Sequence, residues 1–293
     1  MSNLFPGFES RRVAVSGAEI QCEFGGSGPP LLLLHGYPQT HVMWHKIAPR
    51  LAERFTVVCS DLRGYGDSSK PGGGTGHGNY SKREMAKDQV ELMRALGHQR
   101  FRLAGHDRGA RVAHRLCLDH PQAVERVAVL DISPTRIMYG GTDQTFATAY
   151  YHWFFLIQPF DLPERLIGAD PIYYLHKKIG GWSSGLALFD PRALAEYARC
   201  FSDPATIHAT CEDYRAAATI DLEHDAADAH AKVECPLLAL WGTKGVVHRL
   251  FEPLRDWRSV ARDVTGKPVP SGHFLAEEAP EETVAELLAF FRA

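Results

Sequence analysis

Apolar residues fall along the chain in two patterns, short continuous runs and helical spacing. Leu31 to Leu34 is an unbroken apolar run, and 55–59, 101–105, 127–132 and 236–241 are further short runs of the same kind. Runs of this length predict strands of a parallel sheet buried on both faces. Nearer the start, 12–15 and 20–24 alternate or nearly so and predict two shorter strands, before the Gly-Ser-Gly-Pro-Pro stretch at 26–30 breaks the pattern. Helical spacing predicts an amphipathic helix over 42–54 and another over 81–96. The second opens on Ser-Lys-Arg-Glu at 81–84, a capping-box pattern, and closes ahead of Gly97. Ala86, Val90, Met93 and Leu96 form its apolar face. A last helix over 281–291 carries Val284, Leu287, Leu288 and Phe291 on one side.

Alternating strands and helices imply an α/β fold, a mostly parallel sheet with helices on both faces. One interval breaks the rhythm. From 135 to 233 the chain is aromatic-rich, helical in pattern and without a good strand. It is expected to be a helical cap, or lid, inserted into a core domain formed by 1–134 and 234–293. The glycine-dense stretch at 71–78 is expected to be a flexible surface loop. It lacks the Gly-Lys-Ser/Thr ending of a phosphate-binding loop.

Composition removes several function classes. The chain is 45% hydrophobic and 23% charged, with a formal net charge of -3, which offers no electrostatic footprint for nucleic acid or an anionic membrane. No apolar run is long enough to span a bilayer. The first eight residues lack the basic and apolar regions of a secretory signal. Six scattered cysteines without a Cys-x-x-Cys pair fit a reducing, cytoplasmic setting. His41 and His45 have helical spacing, but without a glutamate between them or a third ligand they are not expected to hold a metal. No cofactor is expected either.

The run at 101–105 leads into Gly-His-Asp-Arg-Gly at 105–109, with a helix pattern behind it. This is the spacing of a nucleophile elbow, where glycines permit a strained turn that lifts the central side chain above the sheet at a helix N-terminus. The central residue is Asp107. A serine that displaced a leaving group from saturated carbon would form an inert ether, whereas a carboxylate forms an ester that water can cleave. Ser-Gly-His-Phe at 271–274 precedes the last helix and supplies His273 as a base. An acid must orient that imidazole. The segment Leu-Trp-Gly-Thr-Lys-Gly-Val-Val at 240–247 has none, so the acid is expected at Asp131, in the run after the elbow helix. His-Gly-Tyr-Pro at 35–38 occupies the place of an oxyanion loop, where the backbone N–H groups of Tyr37 and Arg108 are expected to face the nucleophile. The stretch at 61–68 is expected to be structural.

With these motifs the sequence resembles the aspartate-nucleophile branch of the α/β-hydrolases: haloalkane dehalogenases, epoxide hydrolases and, most closely, fluoroacetate dehalogenases. The resemblance extends over essentially the whole chain and includes Tyr-His-Trp-Phe at 151–154 and Asp-Tyr-Arg at 213–215. Haloalkane dehalogenases and epoxide hydrolases usually carry tryptophan after the nucleophile. Here stand Arg108 and, three residues on, Arg111, whose paired donors suit the carboxylate of a small anionic substrate. Epoxide hydrolases use two cap tyrosines, of which Tyr214 alone matches. The resemblance to fluoroacetate dehalogenases implies instead that His152, Trp153 and Tyr214 receive the departing halide, with Trp182 lining the pocket. It also implies a homodimer. Hydrolytic dehalogenation of short 2-haloacids, fluoroacetate above all, is therefore the expected activity. An epoxide hydrolase and a hydrolase-fold receptor without turnover stand as the alternatives.

Overall fold

The apolar runs pair into one eight-stranded sheet in the computed structural model, which describes residues 4–292. Met1–Asn3, which begin the stretch read as lacking a secretory signal, and Ala293 lie outside the described residues. The strands are β1 (Glu9–Val15), β2 (Ala18–Gly25), β3 (Pro30–Leu34), β4 (Thr56–Ser60), β5 (Phe101–His106), β6 (Val124–Leu130), β7 (Leu237–Gly242) and β8 (Val264–Val269). Their order is β1-β2-β4-β3-β5-β6-β7-β8. β1, β2 and β4 pair antiparallel, and from β4 to β8 every pairing is parallel. Leu31 to Leu34 in β3 are fully buried at the centre. That is the position an unbroken apolar run requires.

β8 escaped the periodicity argument. Its sequence, Val-Thr-Gly-Lys-Pro-Val, has no apolar run, and Pro268 cannot donate to a neighbouring strand. Both are tolerable because β8 is the sheet's edge. The run at 127–132 is also displaced. β6 begins earlier and stops at Leu130, because Asp131 turns away in a left-handed conformation with φ of +53°.

The helix expected over 42–54 does not form as one element. A 3-10 turn at His41–Trp44 is followed by a single-turn α1 (Ala48–Leu51). Pro49 lacks an N–H, and in a continuous helix its ring would collide with the carbonyl of His45. α2 (Lys82–Ala95) matches the 81–96 pattern. The Ser81 side chain accepts from the Glu84 N–H at 3.2 Å, while the Ser81 N–H goes to Gly78 O, so half of the capping box is made. Gly97 closes it with φ of +91°. The glycine-rich stretch is tied down rather than loose. A 3-10 segment at Thr75–Tyr80 ends it, His77 bonds Glu212 at 2.7 Å, and Tyr80 bonds Pro71 O at 2.7 Å.

α3 (Arg108–Asp119) follows β5 directly. Between β6 and β7 the described chain is helical. It comprises α4 (Thr135–Gly140), α5 (Gln144–Ala149), α6 (His152–Phe155), α7 (Leu162–Ala169), α8 (Pro171–Trp182), α9 (Pro191–Phe201), α10 (Pro204–Ala217) and α11 (Ile220–Ala227). α12 (Val246–Leu250) and α13 (Pro253–Val260) connect β7 to β8, and α14 (Leu275–Glu278) and α15 (Pro280–Arg292) complete the chain.

The junction of β3, β5 and α3 leaves no room for a side chain at Gly109. A Cβ there would lie 2.4 Å from His35 O and 2.5 Å from Leu34 O, both backbone atoms. Gly109→Ala is therefore expected to lower stability by about 1–3 kcal/mol through overpacking. Gly140→Ala, where a Cβ meets nothing within 4 Å, should be neutral or stabilising by up to about 1 kcal/mol. Thermal unfolding of the two variants side by side checks the contrast, and equal midpoints would contradict it.

Candidate active site

Asp107 sits where β5 turns into α3, with φ of +47° and ψ of -112°, a conformation that costs a non-glycine residue of the order of 1–3 kcal/mol. Neighbouring backbone enforces it. A Cβ at Gly105 would meet Gly109 O at 2.5 Å, and one at Gly36 would meet the Asp107 Cβ at 2.4 Å. The turn aims the carboxylate at two groups. Tyr37 N–H donates to Oδ1 at 2.9 Å, and His273 Nε2 stands 3.8 Å from Oδ2. Arg108 N–H, the other donor expected, forms no hydrogen bond to the carboxylate.

His273 Nδ1 lies 2.6 Å from Asp131 Oδ2, and the other Asp131 oxygen accepts from Gly242 N–H at 2.9 Å. The left-handed turn at Asp131 thus places it between the end of β7 and the imidazole. Burial opposes a charge on His273, but the hydrogen bond and charge of Asp131, then the charge of Asp107, raise its pKa above the ordinary value. Burial likewise opposes ionisation of Asp107. The charge of His273, with those of Arg108 and Arg111, outweighs it and holds the carboxyl below its usual range. The arrangement can keep an ionised carboxylate beside an oriented imidazole whose Nε2 faces it.

His106, to which the sequence argument gave no role, braces this geometry. Its Nε2 is 2.8 Å from His273 O, and burial pushes its pKa down to about 3, so it is neutral and donates that bond. Its position inside the elbow motif was the available signal. His273 N–H in turn donates to Trp182 O at 2.9 Å. A cleft of about 80 Å³ between Tyr150, Trp182, Lys244 and Arg249 reaches His273 from outside.

The two arginines differ. Arg108 is buried, and its Nε and Nη2 grip Asp213 at 2.9 and 2.7 Å, with Tyr214 stacked 4.2 Å from the guanidinium. Asp213 also binds Lys82 and accepts from Tyr65 OH at 2.6 Å. This internal counterion was not among the residues expected, although Asp213 adjoins Tyr214. Arg111 is equally buried and has no carboxylate partner among the described residues. Its Nη1 donates to Thr135 Oγ1 at 2.8 Å and its Nη2 to Met138 Sδ at 3.2 Å, while Nε makes no hydrogen bond. Burial, then repulsion from Arg108, lowers its pKa.

The aromatic residues converge above Asp107. Tyr37 contacts Tyr214 at 5.3 Å, His152 at 6.1 Å and Trp182 at 6.4 Å between ring centres. His152 lies 4.5 Å from Trp182 and 5.5 Å from Tyr214. His152 Nδ1 and Tyr214 OH are buried without hydrogen-bond partners. Trp153 has no ring contact with either. It stacks near Tyr150 at 6.1 Å, with the Arg111 guanidinium 4.7 Å from its ring. Burial, then the positive charge of Lys178, keeps His152 neutral, well below its ordinary pKa. His41 and His45 lie elsewhere, on Asp61 and on the Val42 carbonyl. Among the described residues no cluster of His, Cys, Asp or Glu could hold a metal ion.

Comparison with known proteins agrees with this fold. The family model described as alpha/beta hydrolase fold matches residues 29–280. A fluoroacetate dehalogenase from Burkholderia sp is 50% identical, over 98% of this chain and 95% of its own length. A soluble epoxide hydrolase from Corynebacterium sp. (strain C12) is 36% identical, over 94% of this chain and 95% of its own. A protein from Nostoc sp PCC 7120, described as an alpha/beta hydrolase, has a crystal structure that superposes with a TM-score of 0.96 at 62% identity, covering 97% of this chain and 98% of its own. The chain belongs to the alpha/beta hydrolase fold family.

Proposed function

We propose that this enzyme removes halide hydrolytically from short 2-haloacids, with fluoroacetate as the best substrate, and that Asp107 is the nucleophile. One observation carries the reading: Arg111, a buried cation without a carboxylate, stands beside a buried carboxylate aimed at an oriented imidazole. Leaving such a cation unpaired is costly, and a substrate carboxylate supplies the missing charge. The fork of Arg108 is held by Asp213, so its part in binding substrate falls to Nη1. The similarity to a fluoroacetate dehalogenase supports the same reading.

In this mechanism Asp107 Oδ2 attacks the α-carbon as the carbon–halogen bond breaks, and halide leaves with the bonding electrons. The product is an ester between Asp107 and the acid. His152, Trp153 and Tyr214 donate to the departing anion, with Tyr37 and Trp182 lining the pocket. His273, steered by Asp131, then takes a proton from water, whose oxygen attacks the Asp107 carbonyl carbon. Charge builds on Oδ1, where the Tyr37 N–H already points, and the Arg108 N–H completes the hole. Collapse releases the 2-hydroxyacid and restores the carboxylate, so one water is consumed and halide and a proton are released. Residues 135–233 act as the cap that excludes other water. A homodimer and a cytoplasmic setting belong to the same reading. Among the described residues no helix is long and apolar enough to cross a membrane.

An epoxide hydrolase is the competing reading, favoured by the unpartnered Tyr214 hydroxyl and by the 36% identical relative. It leaves Arg111 without a counterion, since an epoxide is neutral.

Halide release from fluoroacetate and chloroacetate, run beside diol formation from an epoxide, decides between them. His273→Asn should still be alkylated but should not turn over, so mass spectrometry should find one carboxymethyl group on Asp107. A stoichiometric burst of halide from an unmodified protein would rule out the ester. Arg111→Leu is expected to lower kcat/KM for haloacetates by about ten- to a hundredfold, the worth of one charge-assisted contact. Haloacetamide, being neutral, should lose far less. Equal losses would remove the carboxylate role.

The base must be neutral to accept a proton, and its folded pKa lies above the ordinary 6.5. Ester hydrolysis should therefore rise with pH and level off only above that value. Because Asp131 causes the increase, Asp131→Asn should move the limb to lower pH while slowing the step. Single-turnover rates across pH provide the measurement, and an unmoved limb would contradict the assignment.

A further inference from the structure

Buried lysines and arginines in this fold follow a rule with two exceptions. Arg63, Lys82, Arg108, Arg115 and Arg215 are buried, and each pairs with at least one carboxylate. Arg111 and Lys178 are equally buried, and among the described residues neither has a carboxylate within ion-pair distance. Arg111 is accounted for by a substrate carboxylate. Lys178 has no such account.

Its position points to one. Lys178 lies on α8 between Tyr174 and Trp182, four residues away on either side and hence on the same face. Its Nζ stands 3.4 Å from the centre of the Tyr151 ring, 5.1 Å from Trp182 and 5.6 Å from Tyr174. This cage holds the ammonium by its aromatic faces and leaves its charge unneutralised. Trp182 is the wall between the cage and the site, 4.5 Å from His152 and 5.5 Å from His273. The charge of Lys178 reaches His152 and helps to keep that imidazole neutral.

We propose that Lys178 is a specificity-determining residue for the leaving group, its caged ammonium stabilising the halide as it departs. The inference rests on the dehalogenase reading above. Displacement moves one negative charge from Asp107, which becomes a neutral ester, to the halide, while the substrate carboxylate keeps its own. The site therefore holds two anions after the step, the carboxylate and the halide. It also has two buried cations without internal counterions. A positive charge on the leaving-group side favours the transition state over the bound substrate, because the halide charge exists only once the bond begins to break. Fluoride, small and slow to leave, gains most from it. Burial lowers the Lys178 pKa to about 7, as expected of an amine with no partner, and an arriving anion raises it again.

The test compares Lys178→Met, which keeps the stem and removes the charge, with Lys178→Arg, which restores it. Lys178→Gln serves as a second neutral variant should the methionine protein fold poorly. Single-turnover halide release from fluoroacetate should fall on the order of tenfold or more in the neutral variants, and from chloroacetate far less. Inhibition by added fluoride should weaken in parallel, and arginine should recover most of both. Equal losses for the two substrates, or losses that arginine fails to recover, would mean that Lys178 only braces Trp182, and would overturn the proposal. So would unchanged rates and unchanged fluoride inhibition. If the unsubstituted enzyme releases no halide from either acid, the dehalogenase reading itself has failed, an outcome visible before any variant is made.

Discussion

Everything around the site depends on keeping a carboxylate ionised in a place that burial would make neutral. Asp107 is buried in a left-handed turn at the N-terminus of α3. Taking such a group out of water is expensive unless positive charge and hydrogen bonds replace the solvent. Here the replacement is distributed: Tyr37 N–H touches one oxygen, His273 faces the other, and Arg108 and Arg111 lie close enough to lower the pKa. The tight glycines at 36, 105 and 109 bring the backbone close enough for these groups to act together.

Those cations then need their own solution, and the fold treats them unequally. Arg108 is locked to Asp213, which is itself shared with Lys82 and Tyr65. This fourfold cluster joins α2, α3 and α10 and makes Arg108 rigid. Arg111 and Lys178 receive hydroxyl, thioether or aromatic partners instead. Such contacts hold the side chain in place without cancelling its charge. On the reading proposed above, this uncancelled positive charge is what a small anion would meet.

The chain is similar to both a dehalogenase and an epoxide hydrolase. An elbow carboxylate, an oriented imidazole and a backbone N–H facing the carboxylate serve any substrate whose saturated carbon is attacked. On the reading proposed above, what separates the chemistries is the surrounding charge and the hydrogen-bond donors, which lie on α3, α6, α8 and α10. These elements approach Asp107 from outside the central sheet.

Much of this was legible in the chain alone. Apolar runs located five of the strands, because a strand buried on both faces must be apolar throughout, and alternation located two more. The elbow spacing located Asp107, because only small residues fit on either side of so tight a turn. His273 and Asp131 followed from their positions relative to the runs. The sequence could not show that Pro49 divides the segment at 42–54, or that the polar edge strand β8 completes the sheet. Those outcomes depend on local sterics and on a neighbouring strand far along the chain. Above all it could not show which cations are neutralised. Arg108 and Arg111 look alike three residues apart, yet one meets Asp213, more than a hundred positions away, and the other meets no carboxylate. Residue type gives a side chain its charge. Only the folded chain decides whether another buried charge lies near enough to cancel it.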